Sequence, residues 1–350
     1  MRCRRPSLLL IALLALPFAA GLVAQQPAAK APVPPPIAPG QARLAQTLGG
    51  LDGPGFAITY SASTGILAAA CEQGTIHYWN KGVTLGVRAG DKTPDVLVGH
   101  KGPVTALACG RGAVLASAGV DQKILLWSLP EGTLLHTLPC TAIVRALAMT
   151  ADSKYLAAGG DDLAIQIWNV ETGKPGPQLA ANLDWTLSLA FSPDGKFLAS
   201  GGYDKAVRLW EIPSGKKLMD IAPQPPTPAN TAKAPADTIY ALAFSPDSKQ
   251  LAIGGTDAQI HLVNLADGKI IRSLAGHGSS VTGLAFHPSG TLLISCSKDH
   301  SIRLWNPTNG QPIKTLEGHT SWVEGITLMV QDTRLASVSA DETVRLWELR

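Results

Sequence analysis

A pattern of four residue types recurs along this chain at a nearly constant spacing. A Gly-His pair is followed by a serine, then by an aspartate, and then by a tryptophan six residues after the aspartate. The complete copies are His100, Ser117, Asp121 and Trp127; His277, Ser295, Asp299 and Trp305; and His319, Ser337, Asp341 and Trp347. His277 and His319 are 42 residues apart. Internal repetition at such a period indicates a series of equivalent units that pack on one another.

Each unit ends in a short apolar strand with an anchor residue, usually tryptophan. The anchors are Trp79, Trp127, Trp168, Trp210, Val263, Trp305 and Trp347. Two of the intervals between them are long, and these mark insertions around Gly82 to Pro94 and from Ala222 to Asp237. Elsewhere short apolar runs alternate with turns rich in Pro, Gly and Asn, and no long helical periodicity interrupts them. Seven all-β units are therefore predicted.

A strand ending such as Ile302 to Trp305, repeated about every 42 residues, resembles the WD40 family. The resemblance covers nearly everything after residue 43 and implies a seven-bladed β-propeller over residues 44–350. In such propellers the first strand completes the last blade. Residues 44–48 resemble the fourth strand at Ile313 to Leu316, and Arg350 follows closely on the seventh anchor. The N-terminal strand near residues 44–48 is therefore expected to close the ring.

The resemblance also implies a role for the four recurring residue types. In WD40 proteins the turn aspartate binds the histidine, which is linked to the serine and the tryptophan across the blade. The three complete copies are therefore expected to form buried networks. A Ser, a His and an Asp could instead suggest a nucleophilic triad, but an active site is needed once and this set occurs three times. We predict a structural role for the networks and no catalytic residues.

Four units depart from the pattern. Their residues at the histidine position are Asp52, Cys140, Asn182 and Pro235, and three of these units carry Ala69, Ala158 or Ile253 at the serine position. The first unit also has Gln73 in place of the turn aspartate, and the fifth has Val263 in place of tryptophan. These units are expected to depend on apolar packing.

The N-terminal region has the composition of an export signal followed by a spacer. Arginines at positions 2, 4 and 5 precede an apolar run from Leu8 to Ala20 and small residues at its exit, which predicts a signal peptide over residues 1–24. Cleavage is expected after Ala24, with Gly21 as the alternative, and an uncleaved segment would instead tether the chain to a membrane. Residues 25–43 are rich in Pro and Ala and predict an extended linker. The protein is therefore expected to be exported.

Charge and motif content narrow the classes of function. The formal net charge is +3, but the three N-terminal arginines account for it, since 26 Lys and Arg then face 26 Asp and Glu. A neutral body with no basic run predicts no nucleic-acid partner. The sequence has no phosphate loop, nucleophile elbow or zinc-protease helix, and its innermost strands are mostly Ala, Leu, Thr and Ser. We therefore predict neither an enzyme nor a cofactor.

The cysteines give no indication of a metal site or of a disulfide framework. Cys71, Cys109, Cys140 and Cys296 fall in different units, and no Cys/His cluster has zinc spacing. Propeller geometry would keep most of these thiols apart. They are therefore expected to be buried free thiols.

The remaining function is the binding of other proteins. In WD40 proteins the exposed contact positions include the residue that opens the first strand of each unit and the residue before the turn aspartate. Here these positions supply the candidates Trp185, Trp322, Tyr203, Asp161 and Lys298. Large aromatic side chains on a rim anchor interfaces, although the two tryptophans could instead pack under the loops.

We therefore expect a non-catalytic interaction scaffold that is monomeric on its own. The alternative is a propeller enzyme or a small-ligand binder with its site at the mouth of the central channel.

Overall fold

The computed structural model describes residues 39–79, 94–180, 184–221, 238–329 and 333–349. The predicted signal peptide over residues 1–24, the linker up to residue 38 and the insertion from Ala222 to Asp237 lie outside the described residues. Asn182 and residues 82–93 of the first insertion also lie outside the described residues, whereas Pro94 is described. Within the described ranges, no helix is long and apolar enough to cross a membrane.

The regular secondary structure of the described residues is β-strand, apart from a single short 3-10 turn at Pro39–Gln41. The first strands are β1 Arg43–Leu48, β2 Gly55–Ser61, β3 Ile66–Cys71, β4 Thr75–Trp79, β5 Asp95–Val98, β6 Val104–Cys109, β7 Val114–Gly119, β8 Lys123–Ser128, β9 Thr133–Pro139, β10 Val144–Met149, β11 Tyr155–Gly160, β12 Ala164–Asn169, β13 Pro175–Ala180 and β14 Thr186–Phe191. The others are β15 Phe197–Gly202, β16 Val207–Glu211, β17 Lys217–Ile221, β18 Ile239–Phe244, β19 Gln250–Gly255, β20 Gln259–Asn264, β21 Ile270–Ala275, β22 Val281–Phe286, β23 Leu293–Ser297, β24 Ile302–Trp305, β25 Pro312–Leu316, β26 Val323–Met329, β27 Arg334–Ser339 and β28 Val344–Glu348.

The strands form seven four-stranded antiparallel sheets, which are the blades of a propeller. Strands β2 to β5 form blade 1, and each following group of four forms the next blade up to β22 to β25 in blade 6. Blade 7 consists of β26, β27 and β28 together with β1. The innermost strand of each blade contacts that of the next blade, and β26 contacts β2, so the ring is closed. The prediction of a seven-bladed β-propeller is confirmed.

The N-terminal strand closes the last blade, as the sequence predicts. β1 pairs antiparallel with β28, in a register that runs from Arg43 opposite Glu348 to Leu48 opposite Val344. The strand thus begins one residue before the predicted segment. The Arg43 guanidinium also lies 3.1 Å from the Glu348 carboxylate. This pairing covers the edge of β28 that would otherwise be open to other chains.

The core lies between blades rather than within any one of them. Leu67 and Trp79 of blade 1 pack in one cluster with Ala336, Val338 and Leu346 of blade 7. The other clusters also take buried side chains from two successive blades. Because burial of a large aliphatic side chain contributes about 1.5–3 kcal/mol, each blade draws most of its stability from contact with both neighbours.

The turn after the second strand of each blade explains the recurring aspartate. In blades 2 to 7 the residue after this aspartate has a positive φ, between 59° and 69°; these residues are Gln122, Leu163, Lys205, Ala258, His300 and Glu342. The aspartate carboxylate stabilises the turn by accepting a backbone N–H two residues later, as in the 3.1 Å bond from Thr343 to Asp341. In blade 1, where Gln73 replaces the aspartate, the strained position is taken by Gly74 with φ 88°.

Removal of β1 tests the closure. We expect a chain that begins at Gly49 to lose hydrogen-exchange protection in β28, because the outer backbone groups of that strand would then face water. A matched chain that begins at Pro39 keeps β1 and should retain full protection. Hydrogen–deuterium exchange with mass spectrometry measures this directly, and equal protection of β28 in both chains would contradict the assignment.

Candidate partner-binding face

The three complete polar networks have the same geometry. In blade 6 His277 Nδ1 lies 2.8 Å from an Asp299 carboxylate oxygen, and His277 Nε2 lies 2.7 Å from Ser295 Oγ. The Trp305 indole N–H donates to the same hydroxyl at 2.8 Å. The corresponding bonds are present in blade 2 among His100, Ser117, Asp121 and Trp127, and in blade 7 among His319, Ser337, Asp341 and Trp347.

Electrostatics and burial show that these networks stabilise the blades. Burial alone would raise the pKa of Asp299, but hydrogen bonds from His277, Ser301 and a backbone N–H outweigh it, and the carboxyl pKa is held well below its usual range. Burial lowers the pKa of His319 against the attraction of Asp341. The three serines are 0% exposed, so no substrate carbonyl can reach their hydroxyls.

The turn aspartates of blades 3, 4 and 5 have other polar partners. Asp162 accepts a hydrogen bond from Thr141 at 2.9 Å, and the Arg208 guanidinium lies 2.7 Å from Asp204. In blade 5 His261 pairs with the turn aspartate at 2.7 Å. The expectation that the irregular blades depend on apolar packing is thus incomplete, because the carboxylates of Asp204 and Asp257 are largely buried and the next strand supplies each with a donor.

Two of the anchor tryptophans lack the serine that their counterparts use. The Nε1 atoms of Trp79 and Trp168 are buried and have no hydrogen-bond partner among the described residues, because Ala69 and Ala158 occupy the serine position. Beside Trp168 lies a cavity of about 90 Å³ that Cys140 and Asp162 also line. Blade 3 therefore has both an unsatisfied donor and room for a hydroxyl group.

The candidate partner-binding residues belong to one continuous set of side chains at the edge where the innermost strands begin. This set, here called the arc, extends over blades 3 to 7. It consists of Arg145, Asp161, Trp185, Tyr203, Tyr240, Lys298, Trp322 and Glu324. All five residues predicted from the sequence are members.

The first half of the arc is an aromatic pair covered by an arginine. The Trp185 and Tyr203 rings meet edge to face with centroids 5.4 Å apart. The Arg145 guanidinium lies 4.2 Å above the Trp185 ring, and it donates two hydrogen bonds to the Asp161 carboxylate. Asp161 therefore orients the cation, and the cation orients the tryptophan.

In the second half of the arc a lysine, Lys298, covers an aromatic ring as Arg145 does in the first half. Lys298 Nζ lies 4.5 Å from the centre of the Trp322 ring and 5.2 Å from that of Tyr240. Burial raises the pKa of Tyr240, and the neighbouring Tyr203 of the first half raises it further. Burial also raises the pKa of Glu324, and the nearby Lys298 charge opposes this shift.

The arc is exposed to solvent. Trp185, Tyr203 and Trp322 are 38%, 40% and 48% exposed, so their rings are only partly covered, and the arc's own cations lie against the two tryptophans.

Sequence reasoning missed Arg145, Tyr240 and Glu324. Each lies two residues after the position that the sequence pattern assigns to the opening of its innermost strand, which is Ile143, Thr238 or Trp322, and alternate residues of an extended chain share one face. This alternation in the sequence could have identified the three residues as neighbours of the predicted contact positions.

The four cysteines that the structure describes are free thiols. Cys71 and Cys296 are buried, whereas Cys109 and Cys140 are partly exposed. Burial raises the pKa of the Cys296 thiol to about 12. Among the described residues one group of metal-ligand types lies together, namely Asp52, Cys71 and His77 in blade 1, outside the blades that form the arc.

Comparison with known proteins matches most of the chain to repeats of one family. Six segments match the family described as "WD domain, G-beta repeat": residues 92–128, 132–169, 174–211, 227–264, 268–306 and 310–348. A stretch of 95 residues is 34% identical to the small ribosomal subunit protein RACK1y of Oryza sativa subsp. japonica, covering 27% of this chain and 28% of that protein. A stretch of 100 residues is 33% identical to cilia- and flagella-associated protein 52 of Chlamydomonas reinhardtii, covering 26% of this chain and 16% of the relative. The chain therefore spans less than a third of the length of either relative.

The unsatisfied indole of blade 3 yields a stability prediction. We expect Ala158→Ser to raise the free energy of unfolding by about 1 kcal/mol, because the new hydroxyl accepts the Trp168 N–H and the cavity provides space for it. The reverse change in blade 2, Ser117→Ala, should lower it by about 1–3 kcal/mol. Urea denaturation measures both, and an unchanged or lower stability of Ala158→Ser would show that the indole is already satisfied.

Proposed function

Because this chain belongs to the WD40 family of β-propellers, we propose that it is a non-catalytic protein-interaction scaffold that binds its partner through the arc. The observation that carries the proposal is the half-exposed aromatic cluster of Trp185, Tyr203 and Trp322 on a rigid ring. Tryptophan, tyrosine and arginine are the residue types that dominate binding energy in interfaces. An exposed cluster of them with charged neighbours has the composition of a binding surface.

The arc is also preorganised. Arg145 and Lys298 restrict the rings they cover, and Asp161 fixes Arg145 through two hydrogen bonds. Side chains that are already ordered lose less conformational entropy when a partner binds. This supports a recognition role, because isolated surface aromatics do not need such an arrangement.

A non-catalytic role is supported by the hydrogen bonds and ion pairs that the titratable side chains make with one another. The Ser, His and Asp sets are buried and repeat in three blades, and the arc places Asp161 against Arg145.

One feature favours the second candidate function, a small-ligand site or an enzyme at the channel mouth. Burial raises the pKa of Glu324, and carboxyl groups with raised pKa values occur in binding and catalytic sites. A ligand of that kind should lose affinity in Glu324→Gln.

We propose other proteins as the partners and a monomeric state for the chain alone. The balanced charge of the folded part supports protein partners over nucleic acid. The rice relative is named as a small ribosomal subunit protein, which is compatible with work inside an assembly.

Export, with or without a membrane tether, is part of the proposal. The basic start of the chain and the apolar run from Leu8 to Ala20 support this part of the proposal.

Capture with a matched control tests the proposal. We expect Trp185→Ala/Tyr203→Ala to reduce recovery of specific partners at least about tenfold, because truncated anchor residues typically cost 2 kcal/mol or more. Tagged full-length protein would be recovered from the envelope fraction after cross-linking and analysed by quantitative mass spectrometry.

The control is Leu134→Ala/Leu135→Ala, which removes two large side chains, 50% and 46% exposed, from the outer strand β9. It should leave recovery unchanged. Both variants must retain the melting temperature of the parent. Equal recovery with the arc variant and the parent would contradict the proposal.

A further inference from the structure

Blade 1 departs from the repeat in a way that brings three metal-ligand types together. A carboxylate oxygen of Asp52, the Cys71 sulfur and a ring nitrogen of His77 all lie within 4.8 Å of one another. His77 Nε2 lies 3.1 Å from Asp52 Oδ1. The three residues come from the loop before β2, the end of β3 and the middle of β4, so their spacing in the sequence gave no sign of the group.

The position of Cys71 is unusual among the blades. At the last residue of the second strand, blades 2 to 5 have glycine, and at Gly160 and Gly202 a side chain would collide with the backbone carbonyl of Ile143 or Trp185. Blades 6 and 7 have serine, and Ser297 Oγ donates to a backbone carbonyl at 3.0 Å. A fully buried thiol at this position therefore replaces either no side chain or a hydrogen-bonded hydroxyl.

His77 is also unlike its counterpart. In blade 5 His261 occupies the same position, and both of its nitrogens are paired, one with Asp257 and the other with Ser273. The residue opposite His77 on the outer strand is Val96, which offers no hydrogen bond. His77 Nδ1 is buried without a partner among the described residues, and the nitrogen that faces Asp52 is Nε2, at 3.1 Å from Asp52 Oδ1.

We propose that blade 1 binds a zinc ion through Asp52, Cys71 and His77, with water in the fourth position. Carboxylate, thiolate and imidazole are all ligands of Zn²⁺, which prefers four of them at about 2.0–2.3 Å. Thr75 donates to both Asp52 oxygens at 2.8 Å and so acts as an outer support that orients a ligand. Because the Asp52 side chain is 39% exposed, it can move slightly to close the tetrahedron and leaves a path for the ion.

The proposed site is independent of the arc and of the scaffold function. The family matches begin at residue 92, after β4, so the three ligands lie in the part of the ring least like the repeat. In the complete blades the His, Ser and Asp network links the loop, the second strand and the turn. A metal ion in blade 1 would link the loop, the second strand and the third strand instead. On binding, the Cys71 thiol releases its proton to solvent and the thiolate takes its place as a ligand.

Cobalt substitution tests the site directly. Full-length protein with reduced thiols and no chelator would be titrated with Co²⁺, which reports thiolate ligation through a charge-transfer band and tetrahedral geometry through intense visible bands. We expect one Co²⁺ per chain, both signatures, and loss of both when Zn²⁺ is added. Zn²⁺ should also raise the melting temperature relative to EDTA.

Matched variants locate the site. Cys71→Ser should abolish the charge-transfer band, and Asp52→Asn should weaken binding about tenfold or more. Cys296→Ser removes another buried thiol of the same chain and should leave the spectrum unchanged. Melting in EDTA checks that each variant is folded. Absence of the band in the parent, its persistence in Cys71→Ser, or its loss in Cys296→Ser would overturn the proposal and leave a hydrogen-bonded Asp52, Thr75 and His77 group as the explanation.

Discussion

The antiparallel pairing of β1 with β28 is the interaction on which the rest of the structure depends. Every hydrophobic cluster described above takes side chains from two adjacent blades, so no blade has a complete core of its own. A ring satisfies this requirement only if the last blade is complete and packs on the first. β1 completes blade 7, and the contact between β26 and β2 joins its inner edge to blade 1. Sequence-distant ends thus become neighbours, and β28 is covered by a fourth strand, as the third strand of every other blade is.

The polar networks connect this framework to the arc. The residue just before each turn aspartate lies on the arc side, so whatever fixes the aspartate also positions that residue. In blade 6 Asp299 is bound by His277, and Lys298 precedes it and covers Trp322. The hydrogen bonds that fix this turn, in which His300 has a left-handed conformation, therefore also place the Lys298 ammonium over the Trp322 ring. Stability of the blade and the geometry of the arc thus depend on the same few residues, of which only Lys298 belongs to the arc.

The ring could be predicted from the sequence because the same residue pattern recurs in successive units. The spacing of the tryptophans gives the number of blades, and residues 44–48 resemble a fourth strand because they are one. Arg145, Tyr240 and Glu324 were not anticipated, since their positions matter only once neighbouring blades place them beside Trp185, Tyr203 and Lys298. Within blade 4 the Arg208 side chain binds Asp204, and the sequence pattern did not indicate this pair because Asn182 stands at the histidine position of that unit. Contacts between units depend on the shape of the ring, and a single repeat does not encode that shape locally.

Differential scanning calorimetry of the whole chain tests the closed ring most directly. Because each blade depends on two neighbours, the account predicts one cooperative transition, with equal calorimetric and van 't Hoff enthalpies and with coincident midpoints from tryptophan fluorescence and far-ultraviolet circular dichroism. Two separated transitions, or probes with different midpoints, would show blades that unfold independently and would contradict the closed ring.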